Sequence, residues 1–228
     1  MSNYLFAPPE VHSLPVRGEA RRFPVRRIYC VGRNYTDHIV EMGGDVRELP
    51  FFFQKPADAL VPDGATIPYP PFTEDFQYEV ELVLAIGSTP ADSSETSARA
   101  AVCAFGVGID LTRRDVQIAA RKAGRPWEIG KSFDRSAPCS ELIAVTSTEL
   151  PDAGAIELKV DGVTKQSGDI LQMIWKPLEI VAKLSEQYEL KAGDLIYTGT
   201  PAGVGALAPG SKVTAAFGDL CQVSISIA

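Results

Sequence analysis

The sequence predicts a β-rich α+β fold, and three observations point there. Seventeen prolines and 19 glycines are spread along 228 residues, too often for a helical bundle. The apolar runs are short and bounded by turn residues, as strands are. An Asp161-Gly162 pair between the runs 156–160 and 163–166 marks a two-residue hairpin turn. At 45% hydrophobic the chain can bury one sizeable core. The expected layout is an extended N-terminal arm over 1–24, punctuated by Pro8, Pro9, Pro15 and Pro24 and holding one short strand, followed by a single domain over 25–228.

Composition also removes some functions. With 29 Asp+Glu against 22 Lys+Arg, the net charge of −7 argues against a nucleic acid or an anionic membrane as partner. No apolar run approaches the roughly 20 residues of a membrane span, and the N-terminus lacks the apolar segment of a signal peptide. Cys30, Cys103, Cys139 and Cys221 are far apart, without a C-x-x-C pair, as in a reduced cytoplasmic protein.

In chain order, residues 27–32 read as a strand that runs into a short helix over 33–44, capped by Asn34 or Thr36 and stopped by Gly43-Gly44. On that helix His38 and Glu41, three residues apart, share a face. The chain has only two histidines, and His12 lies in the arm, so His38 is the better general base; an ordinary surface pair has the same spacing. Residues 51–54 form a strand that ends at Lys55, aimed into a cleft or into solvent.

Residues 76–87 read as one continuous strand. Glu79 and Glu81 project from one face about 7 Å apart, with Val83 and Ala85 after them, while Val80, Leu82, Leu84 and Ile86 fill the other face. Buried carboxylates need a counter-charge, and a hard divalent cation supplies one; a solvated face is the alternative. A short helix is expected near 98–103. Asp110 then closes a glycine-softened strand as a natural third ligand or a loop cap. Thr112 and Asp115 form a capping-box-like start to a helix through 123, with Arg114 and Gln117 a turn apart. Lys131 stands in apolar company, where desolvation makes a lysine chemically useful. The hairpin 156–166 reads as structural. Pro177 opens a helix to about 188, with Leu178, Val181, Leu184 and Tyr188 as its core stripe. The loop Thr198-Gly199-Thr200-Pro201 lacks the Gly-Lys-Ser/Thr of a nucleotide site, but its hydroxyls and N–H groups suit a carboxylate. Strands over 212–216 and 221–227 complete the sheet.

These segments, taken as an ordered set from 28 to 205, resemble the fumarylacetoacetate hydrolase family: Tyr29-Cys30-Val31-Gly32-Arg33-Asn34-Tyr35 with His38 and Glu41, Lys55-Pro56, Glu79-Val80-Glu81, Gly108-Ile109-Asp110 with Arg114 and Gln117, Lys131-Ser132-Phe133, and the 198–205 loop. Arg26 to Cys30, Phe51 to Phe53, Ile67 to Pro71 and Gly124 to Trp127 are most similar to its bacterial members that hydrolyse fumarylpyruvate. Gln77-Tyr78 departs from relatives that carry histidine there.

The resemblance implies a mixed sheet rolled into a barrel-like sandwich, usually in a homodimer. It implies Mg²⁺ or Mn²⁺ on Glu79, Glu81 and Asp110. Catalysis falls to His38, Glu41 and Lys131, and substrate binding to Arg33, Lys55, Arg114, Gln117 and Thr200. The implied reaction is hydrolysis of the C–C bond of an acylpyruvate, with fumarylpyruvate giving fumarate and pyruvate in gentisate-type aromatic catabolism. Decarboxylation of oxaloacetate, or isomerisation and decarboxylation of a dioate, is the alternative on the same scaffold.

Overall fold

The computed structural model describes residues 4–35, 48–146 and 148–228. Strands dominate it. A six-stranded sheet runs Ile143–Ala144, Val102–Ile109, Val80–Ile86, Asp194–Tyr197, Arg27–Gly32 and Phe51–Lys55 in spatial order. Its pairs are antiparallel except Asp194–Tyr197 against Arg27–Gly32. A five-stranded sheet runs Val163–Asp169, Ala155–Val160, Lys212–Phe217, Cys221–Ile227 and Thr66–Ile67. The two sheets share one core: Leu82, Leu84 and Val107 from the first pack in the same cluster as Leu158, Val213, Val223 and Ile225 from the second. Among the described residues no sheet closes into a barrel; the β-rich architecture rests on two open sheets face to face.

The central strand Val80–Ile86 is buried along its whole length. Val80, Leu82, Leu84 and Ile86 face the inter-sheet core. Val83 and Ala85 face a second cluster with Leu14, Ile28, Cys30, Leu195 and Tyr197. This is the alternation the sequence predicts. The arm differs from expectation, because Ser13–Pro15 and Arg22–Pro24 pair as an antiparallel hairpin rather than one strand. Leu14 and Phe23 anchor it in the second cluster.

The Asp161-Gly162 hairpin forms as read, with both residues left-handed at φ 52° and 80°, the geometry of a turn whose twist matches its strands. The helices are short. Glu95–Ala101 starts earlier than the sequence suggests, because the Ser94 side chain caps Ser97 N–H. Pro177–Ser185 opens on its proline and ends before Tyr188, which packs its ring on Tyr29 at 5.2 Å. Arg114–Lys122 forms without the expected capping box. The Asp115 carboxylate instead takes Glu74 N–H at 2.8 Å, holding the loop before Phe76 to the helix.

One expected element is interrupted. The stretch read as continuous over 76–87 is two strands, Phe76–Tyr78 and Val80–Ile86, with Glu79 between them. The first pairs with Thr112–Arg113 and Gly205–Ala206, the second with the six-stranded sheet. At the break, the Glu79 carbonyl accepts Asp110 N–H at 2.8 Å, and Val80 N–H goes to the side chain of Gln166 at 2.9 Å. The chain leaves one sheet and enters another there without stranding a backbone group.

Leu82 is fully buried between the sheets. Leu82→Ala is expected to lower unfolding free energy by about 2–5 kcal/mol, seen in urea titration as a lower midpoint at unchanged slope.

Candidate active site

Glu79, Glu81 and Asp110 meet where two strands end. The antiparallel register sets Val80 opposite Ile109 and Glu81 opposite Gly108, bringing Asp110 alongside Glu79. Gly108 has no room for a side chain, since a Cβ would lie 2.5 Å from the Tyr197 ring. All three carboxylates are buried, and one oxygen from each lies within 4.8 Å of the others. This is the acidic triad the spacing suggested, and it is not solvated.

Protein cations surround it. Lys131 Nζ lies 2.8 Å from Glu79 Oε2 and 2.6 Å from Asp110 Oδ2. Lys55, at the end of Phe51–Lys55, is almost completely buried; its Nζ lies 2.9 Å from Asp110 Oδ1 and donates to the carbonyls of Leu111, at 3.2 Å, and Lys131. Lys55 therefore does not point to solvent; its amine reaches the triad. Arg114 donates to Glu79 Oε1, to Gln117 Oε1 at 2.6 Å and to Gln77 Oε1 at 2.8 Å. Gln77, the departure noted in the sequence, thus orients Arg114.

The electrostatics separate the two glutamates. Burial pushes Glu79 up, but Lys131 and Arg114 outweigh it and hold the carboxyl at about 2. Burial raises Glu81 well above the carboxylate range, the negative charges of Asp110 and Glu79 raise it further, and Lys131 and then Gly199 N–H on Oε2 at 2.7 Å oppose them only in part. Burial pulls Lys131 down, yet Asp110 and Glu79 keep it above the ordinary lysine value.

The donor set fits a hard divalent cation: three carboxylates, with no thiol or imidazole joining the cluster among the described residues. Asp110 Oδ1 is buried and accepts no hydrogen bond among the described residues, its contact being the Lys55 ammonium at 2.9 Å. Such an oxygen wants a ligand.

The remaining wall is built by loops. Thr198 binds the carbonyl of Leu82 through its hydroxyl at 2.9 Å, which presses the 198–201 loop against the central strand. Thr200 is buried at the loop's tip. Gly199 is left-handed (φ 94°), and a Cβ there would meet Asn34 Cβ at 2.7 Å. Asn34, a candidate helix cap in the sequence, binds far along the chain; the helix it would cap lies outside the described residues. Its side chain donates to the carbonyls of Trp175 and Thr198 at 2.9 and 2.8 Å and accepts Trp175 N–H at 2.8 Å. Arg33 beside it is left-handed at φ 58°, a conformation costing a non-glycine residue roughly 1–2 kcal/mol. His38 and Glu41 lie outside the described residues.

Sequence reasoning missed Gln166, and the register explains why. A regular two-residue hairpin with Val160 opposite Val163 would set Leu158 opposite Lys165 and aim Gln166 outward. A bulge between Leu158 and Lys159 sets Leu158 opposite Gln166 instead. Gln166 therefore turns inward to the break at Glu79, and the hairpin is not only structural.

The similarities of the chain agree with this geometry. Residues 27–228 match the family model described as the fumarylacetoacetate (FAA) hydrolase C-terminal domain. A fumarylpyruvate hydrolase from a Ralstonia species is 43% identical over 180 residues, covering 79% of this chain and 93% of the relative. An oxaloacetate tautomerase from Escherichia coli is 41% identical over 202 residues, covering 88% and 92%. The crystal structure of a Pseudomonas aeruginosa fumarylpyruvate hydrolase in complex with Mn²⁺ and pyruvate superposes with a TM-score of 0.95 at 48% identity, covering 99% of both chains. The chain belongs to the fumarylacetoacetate hydrolase family.

Lys131 bridges two buried carboxylates, so Lys131→Met takes a cation from each and leaves only Arg114 on Glu79 and Lys55 on Asp110. Under chelator the variant is expected to be destabilised by about 3–5 kcal/mol, with much of the loss recovered on adding Mn²⁺. Thermal melting with and without the metal reads both; a melting point that ignores Mn²⁺ would contradict the metal assignment.

Proposed function

We propose that the chain is a divalent-cation-dependent hydrolase of the C–C bond of an acylpyruvate, with fumarylpyruvate converted to fumarate and pyruvate. The observation that carries this reading is the buried triad of Glu79, Glu81 and Asp110 ringed by Lys55, Lys131 and Arg114. Lys131 and Arg114 answer Glu79, and Lys55 and Lys131 answer Asp110, while Glu81 has no ion pair among the described residues. A bound Mg²⁺ or Mn²⁺ would answer Glu81 and present positive charge to a substrate carrying two carboxylates. The pyruvate and Mn²⁺ held by the Pseudomonas aeruginosa neighbour support the same choice.

Held by the triad, the cation supplies Lewis-acid polarisation and an anchor for the pyruvoyl end. Arg114, steadied by Gln77 and Gln117, and the Thr200 hydroxyl bind carboxylate or oxo oxygens. Arg33 is assigned a further substrate contact. Lys55 serves by holding Asp110. Lys131 keeps its positive charge beside the triad, where negative charge grows on the departing pyruvate enolate. His38, oriented by Glu41, takes a proton from the water that attacks the distal acyl carbonyl. The bond between that carbon and the pyruvate methylene breaks, the electron pair stays with pyruvate as its enolate, and protonation at carbon completes the products.

The Escherichia coli oxaloacetate tautomerase favours a second reading on the same site, in which oxaloacetate is the substrate and no water nucleophile is needed. We also take the enzyme to work in the cytoplasm as a homodimer in aromatic catabolism. Four unpaired cysteines suit a reducing compartment, and Tyr4, Leu5, Phe6 and Val11 expose apolar surface on the arm for a second copy. No helix among the described residues is long and apolar enough to cross a membrane.

Loss of fumarylpyruvate absorbance is expected with Mg²⁺ or Mn²⁺, to stop with chelator, and to fall by about 10²–10⁴-fold in His38→Ala. Turnover of oxaloacetate alone, indifferent to His38, would replace the hydrolase with the second reading.

A further inference from the structure

The Gln166 carboxamide is 1% exposed and every part of it is engaged. Oε1 accepts Val80 N–H at 2.9 Å, while Nε2 donates to Thr200 Oγ1 and to the Pro201 carbonyl, each at 2.9 Å. The amide can sit in one orientation only, since Val80 offers a donor and Pro201 an acceptor.

This has a consequence for Thr200. Its oxygen receives an amide hydrogen, so its single O–H hydrogen must point elsewhere. Among the described residues the incoming bond is the only hydrogen bond at Thr200 Oγ1. Thr198, two residues earlier, is the contrast: its hydroxyl is spent on the Leu82 carbonyl. Thr200 is thus kept as a donor on the same loop whose Gly199 N–H already reaches Glu81.

The hairpin is shaped to this end. The bulge turns Gln166 inward, and Gly203, left-handed at φ 96°, lets the loop lie directly on the bulge, where a Cβ would come 2.3 Å from the Lys165 carbonyl oxygen. We propose that Gln166 is a positioning residue, which fixes the Thr200 hydroxyl as a donor to an anionic oxygen of the substrate. The proposal rests on the acylpyruvate reading, in which Thr200 meets a carboxylate or oxo group. A purely structural Gln166 would affect stability but would not couple to Thr200.

The test is a double-mutant cycle on the Mn²⁺-loaded protein with oxalate as probe, read by calorimetry. Thr200→Val keeps the shape and removes the hydroxyl, while Gln166→Met keeps the length and removes the donor. Each is expected to weaken oxalate binding roughly tenfold, the size of one charge-assisted hydrogen bond. The double variant should bind within about twofold of either single variant, and KM for the substrate should rise while kcat holds. Losses that multiply, or a wild type or either single variant that contradicts these bindings, would overturn the proposal. If Gln166→Met does not fold, Gln166→Glu at alkaline pH replaces it: the carboxylate still accepts Val80 N–H but draws the Thr200 hydrogen to itself, so the same weakening is expected and wild-type binding would overturn the proposal. Oxalate binding needs no turnover. An enzyme that consumes no acylpyruvate removes the reaction while the cycle still reports on Gln166; an additive cycle in an active enzyme removes this inference alone.

Discussion

Three carboxylates buried within ligand distance of one another are the constraint on which the rest of this structure depends. Ionised groups leave water only when paired, and each local irregularity here serves that pairing. The strand breaks at Glu79, so that its side chain and that of Glu81 can meet Asp110 from the neighbouring strand. Gly108 lets Tyr197 close the space opposite Glu81. Lys55, Lys131 and Arg114 arrive from three different parts of the chain. Side chains answer the charge of Glu79 and Asp110, and Glu81 is the carboxylate left for an ion to answer.

A second tier of neutral amides directs the charged one. Gln77 and Gln117 accept from Arg114, Gln166 spans the Glu79 break and the 198–201 loop, and Asn34 joins that loop to Trp175. An amide both donates and accepts, so it can tie a carbonyl to an N–H or a hydroxyl without adding charge to an already crowded centre. Satisfied buried networks of this kind hold groups at fixed geometry, as a binding site needs.

Much of this was legible in the sequence. Two-residue alternation placed Glu79 and Glu81 on one face and identified both apolar sides of the strand after them, and the Asp161-Gly162 turn marked its hairpin. Proximity in sequence also brought Arg114 and Gln117 together on one helical face. What escaped was long-range. The strand break at Glu79 comes from partners far along the chain, Gln166 and Asp110. The bulge that turns Gln166 inward leaves no local mark, because Leu158 and Lys159 are ordinary strand residues. Asp115 sits at capping spacing yet serves a loop some 40 residues upstream, and Asn34 binds residues beyond 170 that no local rule reaches. Short-range rules assign a polar side chain to its nearest backbone; a folded neighbour can offer more.

The order of the six-stranded sheet bears on how the chain is made. Arg27–Gly32 is placed between Phe51–Lys55, available early, and Asp194–Tyr197, its parallel neighbour from near the far end. Arg26 pairs its guanidinium with the buried Asp194 carboxylate at 2.9 Å across the same distance. During synthesis one edge of the N-terminal strand therefore stays open until most of the protein has left the ribosome. Parallel pairing over such a span closes slowly, and an apolar strand waiting with one edge bare is a place for wrong partners. The central sheet, and with it the wall that carries Glu81, waits for a strand near the far end of the chain.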